Sequence, residues 1–166
     1  MKKVCILLVA LLLLGGCAAQ PTFETVSDLA DVAAMAQQRE LKVSLPKEAT
    51  APTLQSDTGG ALYLCDGYTI SVQTLQAGDL DATLRSLTGF SREQLTVMET
   101  LKHGVKRYDC VWSAAGEGGD QVARAVILDD GNYHYAVTVM ADFASAGELS
   151  STWKSILDSV SITDTD

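Results

Sequence analysis

The feature that most constrains this chain is an unbroken apolar run of eleven residues, Val4 to Leu14, near its N-terminus. The run follows two basic residues, Lys2 and Lys3. A helix that crosses a membrane needs about 20 apolar residues, so the run is too short to be an ordinary membrane anchor. A short basic segment followed by about 7 to 15 apolar residues is typical of a secretory signal peptide. We therefore expect the rest of the chain to fold outside the cytoplasm.

A processing motif begins at the last residue of this run. Residues Leu14–Cys17, with the sequence Leu-Gly-Gly-Cys, resemble the lipobox of bacterial lipoprotein precursors. The resemblance implies that the Cys17 thiol receives a diacylglyceryl group, with palmitate among the expected acyl chains, and that a signal peptidase cuts after Gly16. Two acyl chains hold a protein stably at a membrane. One alternative is an ordinary signal peptide, cut near Ala18 or Ala19, that leaves a freely secreted protein. A second is an uncleaved anchor, which the short apolar run disfavours.

This motif divides the chain into a signal peptide over residues 1–16, a tether over residues 17–26 and a single folded domain over residues 27–166. The whole chain has 166 residues and a formal net charge of −9, and loss of the two signal-peptide lysines leaves 150 residues at −11. A chain of that length buries about 70% of its unfolded surface. An acidic surface repels nucleic-acid phosphates. We therefore expect no nucleic-acid partner, and membrane attachment through the lipid on Cys17.

Two cysteines, Cys65 and Cys110, are left for the folded domain once Cys5 leaves with the signal peptide and Cys17 is acylated. Exported domains mature where disulfides persist. Both cysteines lie in strand-like patterns, and a bridge between them closes a loop of about 45 residues, worth roughly 4 kcal/mol in the chain-entropy model. We expect a Cys65–Cys110 disulfide. The alternative is two buried, unpaired thiols that act as small apolar side chains.

Apolar spacing predicts three helices, which begin after Ser27, at Asp79 and after Ser145. The first spans about Asp28–Gln38, and the second ends at Gly89, a residue typical of a helix C-cap. The apolar positions are Leu29, Val32, Ala33 and Ala36 in the first helix, Leu80, Leu84 and Leu87 in the second, and Leu149, Trp153, Leu157 and Val160 in the third.

Alternating residues and turn signals predict the strands. A short strand over Leu41–Leu45 precedes a loop, and Ala61–Leu75 is a strand, or a pair of strands, interrupted at Asp66-Gly67. Two hairpins follow, with turns at His103-Gly104 and Asp130-Gly131. The predicted cross-strand pairs are Val97 with Cys110, Thr100 with Arg107 and Met98 with Asp109 in the first hairpin, and Leu128 with Tyr133, Val126 with Tyr135, Val122 with Val139 and Ile127 with His134 in the second.

The element order predicts an α+β fold, an antiparallel β-sheet meander of four to six strands packed by an N-terminal, a middle and a C-terminal helix. Over Leu41–Ile162 this order resembles the PsbP-like fold of small extracytoplasmic proteins, a group that includes extrinsic photosystem proteins and many bacterial lipoproteins. The resemblance lies in element order alone. It implies a fold and an extracytoplasmic setting, and it transfers no functional residue.

The sequence carries no recognisable catalytic, metal-binding or cofactor-binding motif. The two histidines, His103 at a hairpin tip and His134 in a strand, lack the further ligands that zinc requires. Asp129–Asn132 departs from the register of a calcium loop and is explained by a hairpin turn. We therefore expect no catalytic residue, no metal and no cofactor. Tyr133 and Tyr135 are kept as a recognition surface, on the premise that their rings lie on an outward face of the sheet.

These features together predict a membrane-anchored lipoprotein on the extracytoplasmic side of the cell membrane, acting as a non-enzymatic binding or accessory module of the envelope. Two alternatives stay open, a small envelope hydrolase whose site is assembled from distant residues and a structural subunit of a surface complex. A pocket with two or more convergent titratable groups favours the hydrolase, whereas an exposed aromatic patch favours binding.

Overall fold

A computed structural model describes residues 37–49, 51–57, 59–116 and 119–165. This part of the chain contains nine strands, two α-helices and one 3-10 turn at Arg92–Gln94. In chain order the elements are β1 (Glu40–Lys42), β2 (Leu54–Gln55), β3 (Ala61–Cys65), β4 (Tyr68–Gln76), α1 (Leu80–Thr88), β5 (Thr96–Lys102), β6 (Val105–Gly116), β7 (Gly119–Asp129), β8 (Tyr133–Asp142), α2 (Ala146–Asp158) and β9 (Ser161–Thr163). No helix in the described residues is long and apolar enough to cross a membrane.

Seven of the strands form one antiparallel sheet in the order β2-β3-β4-β8-β7-β6-β5, and β1 pairs separately with β9. The predicted α+β class is confirmed, but the main sheet has seven strands instead of four to six. The prediction omitted β2, which has only two residues. The predicted N-terminal helix lies outside the described residues except for Gln37 and Gln38, which are not helical.

The two helices cover opposite faces of the sheet. On one face, here called the α2 face, Trp153, Ile156 and Leu157 of α2 pack in a cluster with Val137 and Val139 of β8. On the other, the α1 face, the other apolar cluster is centred on Leu84 of α1 and the aromatic rings of β6. Residues alternate between the faces along each strand, as the two-residue period of a strand requires.

Helix α1 has the predicted ends. Asp79 is its N-cap, and the Asp79 side chain accepts a hydrogen bond from the Asp81 N–H at 3.1 Å. Gly89 ends the helix in the left-handed region at φ 80°, which glycine adopts without a steric penalty. At α2, by contrast, the Ser145 hydroxyl donates to the Asp142 carbonyl at 3.1 Å and makes no side-chain cap bond.

The first predicted hairpin is confirmed pair by pair, and the second is shifted by two residues. Leu128 lies opposite Tyr135, not Tyr133. The turn is centred one residue later than predicted because the Asp130 carboxylate accepts the N–H groups of Asn132 and Tyr133, at 2.9 and 2.8 Å. A two-residue shift leaves every side chain on its predicted face, because the side-chain period is also two.

The observed pairs in the second hairpin replace the remaining predicted ones. They are Val126 with Val137, Val122 with Ala141, Ile127 with Ala136 and Asp129 with His134.

The predicted Cys65–Cys110 disulfide is wrong, and both thiols are free. Cys65 lies in β3 and packs on the α2 face, whereas Cys110 lies in β6 and is buried on the α1 face. Strands β4, β8 and β7 separate them, and four strand spacings amount to roughly 19 Å. A disulfide needs Cβ atoms about 4 Å apart, so the strand order forbids the bond.

Two buried groups predict loss of stability in alkali. Burial raises the pKa of the Cys110 thiol to about 11 and that of the Tyr135 hydroxyl to about 12. Both groups are neutral when protonated, so the unfolded chain gives up these protons first, near the ordinary values of about 8.5 and 10. The free energy of unfolding should therefore fall from about pH 9 to pH 11 through Cys110, and from about pH 10 to pH 12 through Tyr135.

Chemical denaturation across this range would measure both falls. In Cys110→Ala the first fall should disappear and the second should persist. The half-buried thiol of Cys65 provides the matched control, and Cys65→Ala should change the pH dependence less. Identical pH dependence in wild type and Cys110→Ala would contradict the assignment.

Candidate functional site

The site is built on a strip of sheet that the helices leave open. Within the described part of the chain, α2 packs mainly on β8 and β7, so the middle of β5 and β6 is open on the α2 face. Met98 is 60% exposed and Val111 46% exposed on this strip. Two adjoining cavities lie along it, which we call the basic recess and the apolar trough.

The basic recess has a volume of about 370 Å³ at the tip of the β5–β6 hairpin. The hairpin contributes Lys102, His103 and Arg107 to its lining, and Arg39 comes from the residue before β1. The end of α2 contributes Asp158, whose carboxylate pairs with Lys154. In a chain of net charge −9, three cationic side chains and one carboxylate line this recess.

Arg107 is held rigidly between the sheet and α2. Its Nε and Nη2 atoms donate to the two carboxylate oxygens of Asp109, each at 2.8 Å, and Nη1 donates to the Leu157 carbonyl at 3.2 Å. This two-bond fork is the most directional form of ion pair. Arg107 therefore forms a fixed wall of the basic recess, and the Arg107–Asp109 pair lies where the recess meets the trough.

The backbone of Arg39 is held in place by a hydrogen bond, whereas the ion-pair partner of its side chain can be exchanged. The Arg39 N–H donates to the Tyr135 hydroxyl at 2.8 Å, and that hydroxyl donates to Asp130 at 3.0 Å. The guanidinium binds the Asp164 carboxylate through Nε at 2.8 Å and Nη2 at 2.7 Å, an interaction that raises the pKa of Arg39. The Asp164 side chain is 84% exposed. Exposed ion pairs contribute little stability, so a ligand anion can replace Asp164 at low cost.

His103 occupies the recess at a conformational cost. Its φ of 52° lies in the left-handed region, and Gly104 follows at φ 79°. That region costs a non-glycine residue about 1 kcal/mol, and asparagine or glycine is the usual choice in such a hairpin turn. Backbone strain of this kind concentrates at functional sites. The strained position keeps an imidazole beside Lys102 in the lining of the basic recess.

The chemistry of the basic recess is that of anion binding. Guanidinium groups match the geometry of carboxylates and phosphates through paired N–H donors. Lys102 adds a mobile ammonium group, and both Lys102 and His103 are exposed. Among the described residues, no group of three or more His, Cys, Asp or Glu side chains is arranged to hold a metal ion.

The predicted tyrosine recognition surface is wrong. Tyr135 is completely buried at 0% exposure, with its ring on the α2 face and its hydroxyl bonded to Asp130. Tyr133 is partly buried against the same cluster, with its ring centroid 6.2 Å from that of Tyr135. The prediction took this face of the hairpin as outward, whereas the α2 cluster covers it. Cys17, the predicted lipid attachment site, lies outside the described residues.

A buried polar contact that the sequence analysis missed joins α1 to the sheet. Thr83 Oγ1 lies 2.7 Å from His134 Nδ1, and the Asp129 carboxylate lies 3.8 Å from His134 Nε2. The residue types are those of a hydrolytic triad. However, Thr83 is 7% exposed and His134 1% exposed, and 3.8 Å exceeds hydrogen-bond distance. The contact therefore fixes the position of α1 and presents no nucleophile to a substrate.

The missed contact left only a weak trace in the sequence. Asp129 and His134 are paired residues of one hairpin, so a correct register would have brought them together. Thr83 is 51 positions from His134, and only the packing of α1 on the sheet unites them.

Similarity searches provide context for the fold. A scan against family models finds no match, and neither does a search of curated proteins. The solved structures that are similar to this chain include the following two. LpqN, involved in cell envelope biogenesis of Mycobacterium tuberculosis, has 11% identity and a TM-score of 0.49, over 79% of this chain and 87% of that chain. PA94 of Pseudomonas aeruginosa, a protein of unknown function described as a putative regulator, has 17% identity and a TM-score of 0.45, over 69% of this chain and 91% of that chain.

Removal of the Thr83 hydroxyl should destabilise the fold. The isosteric change Thr83→Val leaves His134 Nδ1 buried without its partner, which should lower the free energy of unfolding by about 1–3 kcal/mol in urea denaturation. Thr83→Ser keeps the hydroxyl and should lose less. Equal stability of Thr83→Val and wild type would show that the contact does not hold α1 in place.

Proposed function

We propose that this protein is a lipid-anchored lipoprotein on the extracytoplasmic side of the membrane, and that it acts as a binding module of the cell envelope whose basic recess receives an anionic group. The observation that carries the binding role is the recess itself. Arg107 forms its fixed wall, Arg39 offers a guanidinium group whose present partner is the exposed Asp164, and Lys102 and His103 also belong to the lining.

Support for the anchor comes from the N-terminal sequence. The lipobox-like residues Leu14–Cys17 begin at the last residue of an apolar run of signal-peptide length. Two acyl chains on one cysteine give stable attachment, whereas a single chain gives marginal, reversible binding. A module tethered in this way meets its ligand at or near the membrane surface.

Metabolic labelling with a clickable fatty acid tests the anchor. The label should be incorporated into wild-type protein and lost in Cys17→Ala, because only a thiol at the lipobox position accepts the diacylglyceryl group. Cys5→Ala removes the other N-terminal cysteine and is the matched control, which should stay labelled. Label that persists in Cys17→Ala would contradict acylation at this site.

The ligand class that the basic recess supports is one with a carboxylate or phosphate group. The Asp164 carboxylate already occupies the Arg39 fork and shows how such a group is held. Because the recess is open to solvent beside an exposed hairpin tip, a ligand can enter without rearrangement of the sheet.

Reversal of the Lys102 charge should weaken anion binding. An NMR titration of the full chain in zwitterionic lipid nanodiscs, with acetate or inorganic phosphate, would measure Kd at the hairpin. Lys102→Glu should raise Kd about tenfold, which corresponds to about 1.4 kcal/mol. Lys47→Glu makes the same charge change at another exposed lysine outside the recess lining and should leave Kd nearly unchanged. Equal effects of the two variants would show that binding depends on the net charge of the protein alone, and would contradict a specific anion site in the basic recess.

A further inference from the structure

The apolar trough adjoins the basic recess along the same open strip. It has a volume of about 510 Å³, and its lining includes the apolar residues Met98, Val111 and Leu157 and the charged residues Asp109 and Arg124. Met98 and Val111 are large apolar side chains exposed to solvent. Apolar surface of this kind gains free energy when a ligand covers it.

The two cavities meet at one boundary, which the strand register defines. On β5, Met98 lines the trough and Thr100, the next residue on the same face, lines the recess. On β6, Asp109 lines the trough and Arg107 lines the recess. Residues two apart on a strand are separated by about 7 Å. The Arg107–Asp109 ion pair lies at this boundary, so the Asp109 carboxylate is already neutralised beside the trough.

We infer that the strip binds a single-chain amphiphile with a carboxylate head group, that is, a fatty acid or a compound with the same acyl and carboxylate parts. This inference rests on the proposed anion-binding role of the basic recess and specifies its ligand. The acyl chain lies in the trough against Met98 and Val111, and the carboxylate lies in the recess.

Charge complementarity selects this occupant. An apolar cavity whose one end opens onto cationic side chains matches a molecule that is apolar along its length and anionic at one end. The carboxylate is the head group that the structure itself displays, because one Asp164 carboxylate oxygen accepts a hydrogen bond from Arg39 Nε and lies 2.7 Å from Arg39 Nη2. The ligand carboxylate replaces Asp164 at that fork, and Asp164 returns to solvent.

Chain length is the sharpest test, because only the trough responds to it. Acetate, hexanoate, octanoate and decanoate are titrated against the full chain in zwitterionic lipid nanodiscs, with the methyl resonance of Met98 and the hairpin amides as NMR reporters. Kd should fall by up to about fourfold for each added methylene, the equivalent of about 0.8 kcal/mol per buried CH₂. Octanol, which lacks the charge, should bind at least about tenfold more weakly than octanoate.

A matched pair of variants locates the acyl chain. Met98→Glu places a charge in the trough and should remove the chain-length dependence while acetate still binds. Leu101→Glu makes the same change on the same strand, at a residue that is 69% exposed on the opposite face, and should keep the dependence.

The outcomes separate this inference from the proposed function on which it rests. Acetate and octanoate with the same Kd would overturn the amphiphile and leave the anion site standing. Equal loss of the chain-length dependence in Met98→Glu and Leu101→Glu would also overturn it. Tighter binding of octyl phosphate than of octanoate would overturn the carboxylate head group, and absence of binding by both acetate and octanoate would overturn the inference and the anion site together.

Discussion

The structure depends on two central strands, β7 and β8, that are buried on both of their faces. Val126, Ile127 and Val137 have 0% exposure, and Ala123 and Ala125 have 1%. A strand buried on both sides contributes apolar area to two cores at once, at about 25 cal/mol for each Å². Helices must then cover both faces. This double burial sets the three-layer arrangement of α1, sheet and α2.

The open strip that carries the candidate site follows from the width of the sheet. Seven strands at about 4.8 Å span roughly 30 Å, whereas one helix with its side chains is about 10–12 Å wide. One helix on each face therefore leaves part of that face bare. On the α2 face the bare part includes the middle of β5 and β6, and on the α1 face it is at the β2–β4 side, where Leu54 and Leu64 are exposed. Of these two bare regions, the one on β5 and β6 ends at the cationic side chains of the basic recess.

Local chemistry explains which parts of the fold could be predicted. Asp79 and Gly89 set the ends of α1 through hydrogen bonds and φ angles within a few residues, and the turn at His103-Gly104 sets the β5–β6 register. The predicted register of the second hairpin is wrong by two residues because two Asp residues precede Gly131. The sequence pattern does not show that the Asp130 side chain accepts the N–H groups of the turn. Every residue of this hairpin still lies on its predicted face, because the register differs by two residues and the side-chain period is two.

Long-range order explains what could not be predicted. The disulfide was inferred from oxidising conditions and cysteine number, which are independent of strand order. The insertion of β4, β8 and β7 between β3 and β6 carries Cys65 away from Cys110. The exposure of Tyr135 depends equally on where α2 lies. The lipobox and the N-terminal helix lie outside the described residues and stay predictions, as does the resemblance to the PsbP-like fold.

The residues of the basic recess could not be predicted from the sequence either, because they are far apart in the chain. Arg39 and the hairpin lysine Lys102 are 63 positions apart in the chain, and neither stands in a motif. They meet because the Arg39 N–H is bonded to the Tyr135 hydroxyl, whose ring is fixed in the core that β8 and α2 create. The burial of β8 on both faces therefore has two consequences for the basic recess. It fixes the tyrosine that positions Arg39, and it places α2 on β7 and β8, where the Leu157 carbonyl of α2 accepts a hydrogen bond from Arg107 in the wall of the basic recess.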